Sequence, residues 1–433
     1  MSKTLVSISD APSDNPGMGF QEEADNIGNL LATINPPLAN IGIFGGYGSG
    51  KTTFLKAISR ALPHTEGSNI PVLKIGFEAS RYEDEHLILS LLSVLCQHLP
   101  RKRDKNVLKN IRRILSSILH SVSLEAGVGK AARIALSIDK ASHYYSRLSQ
   151  KKVDKILDGY VDIYDNLRRI PLHENGNVKY KIVVFIDDLD RCLPAQAFAL
   201  LEAIRAFMDI PGFMFVVALD PRAVDTYLST KYGENFIVDC EEYLQKMFQV
   251  AYTLPLPTYE NIKEELGKIL LSGGVPKTDW AEKIWKIIDT DSFEDYLPRN
   301  LRLTKRILNA HQMYMFSSED LGLCQDLFAL LLLQTLWPKV YWALLKFPDV
   351  FRTTVGVLDD KAKIPDKIEP YGSVIKTMKD PECNRFLKNC IVGQDGIFRL
   401  IEEQHRRGVP LGWPVGIDRQ MEKEKWKAGN KMR

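Results

Sequence analysis

Short apolar runs recur along the first 255 residues, and most of them are bounded by turn or charged residues. Runs of this length without polar alternation are typical of strands that are buried on both faces of a sheet. Because longer amphipathic segments separate the runs, we expect the strands to pair mostly in parallel. The predicted strands are Ile41–Phe44, Val72–Phe77, Ile182–Asp187, Phe213–Asp220 and Phe248–Pro255.

Helical spacing of apolar residues appears between these strands, for example over Phe20–Leu31, Thr52–Ala61 and Pro194–Met208. About a hundred residues between the second and third predicted strands also read as helices, beginning with His86–Leu99. The fold class predicted from these patterns is α/β, with a mostly parallel sheet, a large helical insertion at about residues 84–175 and a C-terminal helical domain.

Strand signals fade after residue 257, where helical patterns take over. We predict a mobile leader at residues 1–20, a sheet domain at 21–256, a helical lid at 257–315 and a C-terminal helical region of unknown role at 316–433. The apolar run Leu327–Leu333 is too short to cross a membrane and predicts a buried helix. Trp337, Tyr341 and Trp342 lie at helical spacing, which favours core packing over a partner-binding groove.

Composition indicates an ordinary globular protein of two or three domains, since 45% of the 433 residues are hydrophobic and 26% are charged. The formal net charge of +3 neither requires nor excludes a nucleic-acid partner. Six scattered cysteines without a CxxC pair argue against a zinc module or a disulfide framework. No signal peptide and no membrane span is evident, so a cytoplasmic protein is expected.

The loop after the first predicted strand reads Gly-Gly-Tyr-Gly-Ser-Gly-Lys-Thr and fits the pattern G-x-x-x-x-G-K-[ST] at every fixed position. In such a loop the backbone N–H groups surround phosphate, Lys51 reaches the β- and γ-phosphates, and the Thr52 hydroxyl ligates Mg²⁺. The alternative is a glycine-rich turn that binds nothing, but such a turn has no need for Lys51 and Thr52 at these offsets. The predicted nucleotide-binding residues are Gly45, Gly46, Tyr47, Gly48, Ser49, Gly50, Lys51, Thr52 and Thr53.

Two acids end the third predicted strand, and a magnesium nucleotide needs a protein oxygen near the metal. We expect Asp187 to hold Mg²⁺, directly or through water, and Asp188 to polarise the attacking water. The alternative reading is that Asp188 and Asp190 cap the helix that follows. The predicted metal ligands are therefore Thr52 and Asp187, and the predicted catalytic residues begin with Lys51 and Asp188.

The hexapeptide Asp187–Cys192, Asp-Asp-Leu-Asp-Arg-Cys, follows an apolar strand and resembles the hallmark of the KAP family of P-loop NTPases. The resemblance extends over roughly residues 20–315 and includes Phe77–Glu83 and Glu242–Phe248. It implies that Asp220 lies near the γ-phosphate at the end of its strand. Tyr47 stands where the family usually has Trp, and the insertion lacks the membrane spans that many family members carry.

A family motif near the end of this span, Asn-Pro-Arg-x-x-Lys-Arg-x-x-Asn, is matched by Asn300–Asn309, although Leu301 replaces its proline. By this match Arg302 is the lid residue that senses the γ-phosphate, and it completes the predicted catalytic set. Arg191 and Arg81 are further candidates, because guanidinium groups suit a phosphoryl transition state. The alternative for the segment Arg299–Arg306 is a solvated basic helix face.

Three function hypotheses follow. The first is a hydrolysing switch, in which ATP, or less readily GTP, binds with Mg²⁺ and changes how the helical regions engage a protein partner or another copy of the chain. Family members implicated in phage exclusion suggest a role in defence or signalling. The second is a nucleotide-binding scaffold that does not hydrolyse. The third is a nucleic-acid-dependent ATPase that uses the basic run Arg101–Lys105, although interleaved acid and missing aromatic residues favour a solvated helix face there.

Overall fold

The computed structural model describes most of the chain in separate stretches. They are residues 8–12, 17, 19–35, 40–62, 70–82, 87–99, 164–173, 175–208, 210–232, 240–271, 279–290, 293, 295–317, 323–353, 366–392 and 394–407. Most of the predicted insertion, with its basic run, lies outside them. The chain divides into two compact units, a sheet unit (Pro12–Pro255) and a helical unit (Met1–Ala11 with Leu256–Arg433).

The described residues of the sheet unit form five parallel strands, in the spatial order β2-β3-β4-β1-β5. Their bounds are β1 Asn40–Phe44, β2 Val72–Glu78, β3 Lys181–Asp187, β4 Phe213–Leu219 and β5 Val250–Thr253. The three inner strands are buried along their whole length, whereas β2 and β5 at the edges are partly exposed. The predicted α/β class with a parallel sheet is confirmed.

Strand β5 is shorter than the predicted Phe248–Pro255. Among the described strands it pairs with β1 alone, in a register that runs from Ile41 opposite Val250 to Phe44 opposite Thr253. The pairing therefore ends where β1 turns into the glycine-rich loop. Phe248 and Leu254, which flank the paired residues, are buried without belonging to the strand.

Helices cover both faces of the sheet, which explains why the inner strands lack polar alternation. On β3, Ile182 and Val184 face one core cluster, and Val183 and Phe185 face the other. The first cluster includes α3, α4, α5 and α6, and the second includes α1 and α2. The bounds are α1 Phe20–Thr33, α2 Lys51–Ala61, α3 Leu87–His98, α4 Pro194–Phe207, α5 Pro221–Tyr232 and α6 Cys240–Met247.

Two lysines from the strands close the ends of α1 and α2. Lys181, which is buried, donates from Nζ to the carbonyls of Ala32 and Ile34, the second at 3.0 Å. Lys74 donates to two carbonyls at the end of α2, at 2.6 and 2.8 Å. The last carbonyls of a helix lack partners within it, so these ammonium groups satisfy acceptors that packing would otherwise leave unbonded.

The described residues of the helical unit form nine α-helices. They are α7 Tyr259–Leu271, α8 Asp279–Ile288, α9 Leu301–Ser317, α10 Cys324–Leu336, α11 Pro338–Lys346, α12 Pro348–Thr353, α13 Gly372–Met378, α14 Pro381–Phe386 and α15 Asp395–Arg407. The run Leu327–Leu333 is buried within α10, as predicted. Tyr341 and Trp342 are buried core residues, and Trp337 is partly buried against Phe386, with ring centroids 5.1 Å apart.

The N-terminal segment Ile8–Asp10 belongs to the helical unit and bonds to α9. The Asn309 side chain accepts from the N–H of Ile8 at 2.8 Å and donates to its carbonyl at 2.9 Å. Lys305 donates to the carbonyl of Ser9 at 3.0 Å, and Arg306 forms an ion pair with Asp10 at 3.3 Å. Through the described part of the chain, no helix is both long enough and apolar enough to cross a bilayer.

Candidate nucleotide-binding site

The predicted phosphate loop follows β1 at the carboxyl edge of the sheet. Its start is fixed to the neighbouring strand, because the N–H of Gly45 donates to the carbonyl of Leu219 at 3.2 Å. Gly48 and Gly50 adopt left-handed backbone angles, with φ of 75° and 96°, which L-residues with a side chain rarely adopt. The loop leads directly into α2, whose N-terminal N–H groups favour an anion.

The Lys51 side chain lies back along this loop and is only 8% exposed. Its Nζ donates to the carbonyls of Gly45 and Gly46, at 2.9 and 3.0 Å. The third contact is an ion pair with Asp190 Oδ2 at 2.9 Å. Lys51 therefore contacts both the loop and the acidic segment after β3, for which the sequence pattern indicates metal binding or helix capping.

Asp187 is the last residue of β3 and is 8% exposed. Burial raises the pKa of its carboxyl group, while hydrogen bonds from the Thr52 hydroxyl and the Asp188 N–H partly offset that rise. A buried carboxylate that contacts a hydroxyl provides two of the hard oxygen ligands that Mg²⁺ prefers. The residues predicted to hold the metal, Thr52 and Asp187, thus lie together and fit a magnesium ion chemically.

Asp188 has an unusual backbone for a residue with a side chain, since its φ of 59° is left-handed. Asp and Asn tolerate this region better than most residues. Its carboxylate pairs with Arg191 at 3.0 Å and accepts a hydrogen bond from the Ser80 hydroxyl at 3.4 Å. Asp188 is the N-cap residue of the 3-10 turn Leu189–Arg191, but its side chain makes no cap hydrogen bond there, and the N-cap residue of α4 is Leu193.

A second acidic position follows β4, the strand between β3 and β1. Asp220 is 9% exposed and accepts from the backbone N–H and the guanidinium of Arg222. Burial by itself would raise the pKa of Asp220, but hydrogen bonds and charge from Arg222, with a contribution from Lys51, lower it. Asp220 therefore lies near Lys51, at the same edge as Asp187.

The other arginine candidates have local partners. Arg191 pairs with Asp188, and Arg81, in the turn after β2, pairs with Glu78. Arg302 lies in the first turn of α9, in the helical unit, and its role stays a prediction. Leu301 is the first residue of α9, a position where proline is common, so its replacement of the family proline leaves the helix start intact.

Sequence reasoning missed two contacts of this site, the Lys51–Asp190 ion pair and the position of Arg222 beside the loop. The ion pair cannot be predicted from local sequence, because three acids lie within four residues of each other and their spacing does not show which one reaches Lys51. The position of Arg222 was weakly indicated by the sequence, since an arginine two residues after an acid at the end of a strand can pair with that acid.

Several known proteins resemble this chain. The structure of the Aeropyrum pernix ORC1 protein in complex with DNA covers 98% of the chain and 86% of its own length, at 14% identity and a TM-score of 0.38. Domain III of the Thermotoga maritima replication initiation protein DnaA covers 74% of the chain and 94% of its own length, at 14% identity and a TM-score of 0.32. These structural likenesses are too weak to support any conclusion about the site or the function of this chain.

A curated relative is more informative. The phage T7 exclusion protein of Escherichia coli strain K12 is 24% identical over 407 residues, which cover 88% of this chain. This chain spans only 53% of that relative's length.

The family model of the KAP family P-loop domain matches residues 20–314. This span contains the glycine-rich loop, all five strands of the sheet and both acidic strand ends. It also reaches the Asn300–Asn309 motif, so it covers every residue singled out above as a candidate for the site. The chain belongs to the KAP family of P-loop NTPases.

Proposed function

We propose that this chain binds ATP together with Mg²⁺ at the loop Gly45–Thr52 and hydrolyses it. The observation that carries this proposal is the convergence of three groups at the loop. They are the Lys51 ammonium, the Thr52 hydroxyl and the buried Asp187 carboxylate. A turn with a merely structural role would have no use for a cation and a hydroxyl–carboxylate pair side by side.

Each residue has a distinct role in this proposal. Thr52 and Asp187 would hold Mg²⁺, directly or through water, and bound Mg²⁺ would neutralise charge on the phosphate oxygens. Lys51 would stabilise the negative charge that develops between the β- and γ-phosphates. Asp188, whose carboxylate lies beyond the end of β3, would orient the attacking water.

Steady-state phosphate release from ATP and from GTP tests this proposal. The informative variants are Lys51→Ala and Asp188→Asn. Asparagine tolerates the left-handed backbone of Asp188, so this change removes charge without adding backbone strain. We expect each variant to lose about 100-fold or more of the wild-type rate. Arg60→Ala, in the last turn of α2, is the matched control and should keep that rate.

Two outcomes separate hydrolysis from the scaffold alternative. If wild type binds ATP but releases no phosphate above the Lys51→Ala background, with or without cell extract, the chain is a non-hydrolysing scaffold. If Asp188→Asn keeps the full rate, Asp188 has no role in orienting water. A preference for GTP over ATP would correct the nucleotide and leave the site in place.

We also infer that nucleotide turnover acts as a conformational switch for a protein partner or for self-association, in defence against phage. The proposed switch and its role in defence rest on the similarity to the phage T7 exclusion protein. The test is the plating efficiency of phage T7 on Escherichia coli that expresses wild type or Lys51→Ala. Protection that needs Lys51 would support a nucleotide-dependent defence role. Equal plating on both strains would argue against it.

A further inference from the structure

Arg222, the second residue of α5, lies against the phosphate loop. A methyl group built on Gly46 would be 3.1 Å from Nη2 of Arg222 and 3.9 Å from its Cζ. The carbonyl of Gly46 is also one of the acceptors of Lys51 Nζ. The guanidinium therefore lies at the part of the loop where the Lys51 ammonium is held, the part that serves the β- and γ-phosphates in a P-loop.

The position of this guanidinium is set by Asp220. Nε of Arg222 donates to Oδ1 at 3.0 Å, Nη2 donates to Oδ2 at 2.6 Å, and the backbone N–H of Arg222 donates to Oδ1 at 3.0 Å. Asp220 follows directly after the buried strand β4, so the pair is anchored in the sheet. Such a two-point pairing fixes the plane of the guanidinium as well as its position.

The pairing leaves most of the guanidinium available. A guanidinium has five N–H groups, and the Asp220 carboxylate engages Nε–H and one N–H of Nη2. The other three N–H groups make no hydrogen bond to any residue that the structure describes, and the Arg222 side chain is 76% exposed. A planar cation with free donors beside a phosphate loop matches the two-oxygen face of a phosphate.

We propose that Arg222 binds the terminal phosphate of the nucleoside triphosphate and that Asp220 is its positioning residue. This inference rests on the proposed function. It assigns the phosphate contact within the sheet unit to a residue different from Arg81 and Arg191, which pair with Glu78 and Asp188. It also gives a reason for the acid after β4, which holds the guanidinium beside Gly46.

Binding of ATP and ADP, measured with Mg²⁺ by displacement of a fluorescent nucleotide, tests this proposal. We expect Arg222→Ala to weaken ATP binding by about 10- to 100-fold, the effect of one charge-assisted contact, and to change ADP binding by less than about 3-fold. Arg222→Lys keeps the charge and should recover part of the loss. Arg60→Ala removes an exposed arginine near the other end of α2 and should bind both nucleotides as wild type does.

The double variant Asp220→Asn with Arg222→Ala distinguishes a direct contact of Arg222 with the phosphate from neutralisation of the Asp220 charge by Arg222. Arg222→Ala alone leaves the Asp220 carboxylate unpaired near the phosphates, and that charge could weaken ATP binding by repulsion. If the double variant binds ATP as tightly as wild type, Arg222 only neutralises Asp220 and the proposed contact is wrong. If the double variant stays weak for ATP and normal for ADP, the contact is supported.

The remaining outcomes distinguish this inference from the function on which it rests. Wild type that binds neither nucleotide would overturn both. Wild type that binds ATP no more tightly than Arg222→Ala does would overturn only the role of Arg222. Equal losses of ATP and ADP affinity in Arg222→Ala would place the guanidinium on a phosphate that both nucleotides share and would also overturn the terminal-phosphate contact.

Discussion

The ammonium of Lys51 has three N–H groups, and the structure gives each of them an acceptor. Two are the loop carbonyls of Gly45 and Gly46, and the third is the carboxylate of Asp190. A phosphate oxygen can bond to Lys51 only by replacing one of these acceptors or by sharing a proton with it. Asp190 is the anionic one and repels phosphate, so Asp190 and the nucleotide compete for Lys51.

We therefore predict that Asp190→Asn tightens nucleotide binding. Asparagine has the same shape but no charge, so Lys51 is released more easily and the phosphates meet one negative charge fewer. The expected gain is up to roughly 5-fold for both ATP and ADP, which corresponds to about 1 kcal/mol for one ion pair. The measurement is displacement of a fluorescent nucleotide at several salt concentrations, since screening should reduce the difference between variant and wild type.

Asp225→Asn is the matched control, because Asp225 is an exposed acid on α5 of the same unit. It should leave both affinities unchanged. Weaker binding by Asp190→Asn would show that Asp190 supports the nucleotide rather than competing with it.

At the residue scale, local sequence predicted Lys51, Thr52 and Asp187 because the offsets within a motif are local. Contacts between residues that are far apart in sequence and meet at the edge of the sheet cannot be predicted from such local offsets. Arg222 meets Gly46, 176 positions earlier in the sequence, only because β4 inserts between β3 and β1. Apolar runs predict that strands exist, but they carry no information about strand order, so this contact needs the folded sheet.

At the element scale, the spacing of apolar residues predicted which helices and strands exist. The observed bounds differ from the predicted bounds mainly where strand pairing sets the end of an element. Strand β5 ends where its pairing with β1 ends, rather than where its apolar run ends. Lys181 illustrates a second limit. A lysine at the start of an apolar strand looks like a surface residue, yet it is buried because the end of α1 offers two carbonyls.

The contact of α8, α9 and α10 is built around a buried histidine. His311 is fully buried, its Nδ1 accepts from the Trp280 indole at 2.9 Å, and its Nε2 donates to the Cys324 carbonyl at 2.8 Å. Both ring nitrogens are thus satisfied in the neutral form. Burial lowers the pKa of His311 to about 4, although the hydrogen bond to Cys324 opposes that shift.

We predict that this histidine makes the helical unit less stable in mild acid. The unfolded chain takes up the proton near pH 6.5, whereas the folded chain does so only near pH 4. The stability is therefore fully present above about pH 6.5 and is lost as the pH falls toward 4. Between pH 7 and pH 5 the expected loss is roughly 2 kcal/mol.

Denaturant unfolding at pH 7 and pH 5, followed through the helical unit by hydrogen exchange, measures this loss. His311→Gln can keep both hydrogen bonds but takes up no proton, so its unfolding free energy should change less between the two pH values. His98→Gln, at an exposed position on α3, should keep the wild-type pH dependence. Parallel pH dependence in wild type and His311→Gln would contradict the prediction.

At the scale of the whole molecule, the helical unit combines the two ends of the sequence. Its N-terminal part is held by the reciprocal hydrogen bonds between Ile8 and Asn309, 301 positions apart. The sequence pattern alone indicated a mobile leader there, because a polar segment rich in glycine and proline carries no signal for a distant amide partner. The chain therefore passes between the two units twice, near residues 11 and 255.

Two compact units predict two unfolding steps, and bound nucleotide should raise the unfolding free energy of the two units unequally. A ligand that binds only the folded form of the sheet unit stabilises that unit by about 2.7 kcal/mol at 100 times its dissociation constant. We expect ATP with Mg²⁺ to raise the unfolding free energy of β1, β3 and β4 by this amount and that of α9 and α10 by less. Hydrogen exchange followed peptide by peptide along a urea gradient reports both steps. Lys51→Ala should lose the shift, and a shift retained in this variant would place the nucleotide elsewhere.

Equal shifts in both units would mean that they unfold together, and the proposed switch would then have to act within one cooperative body.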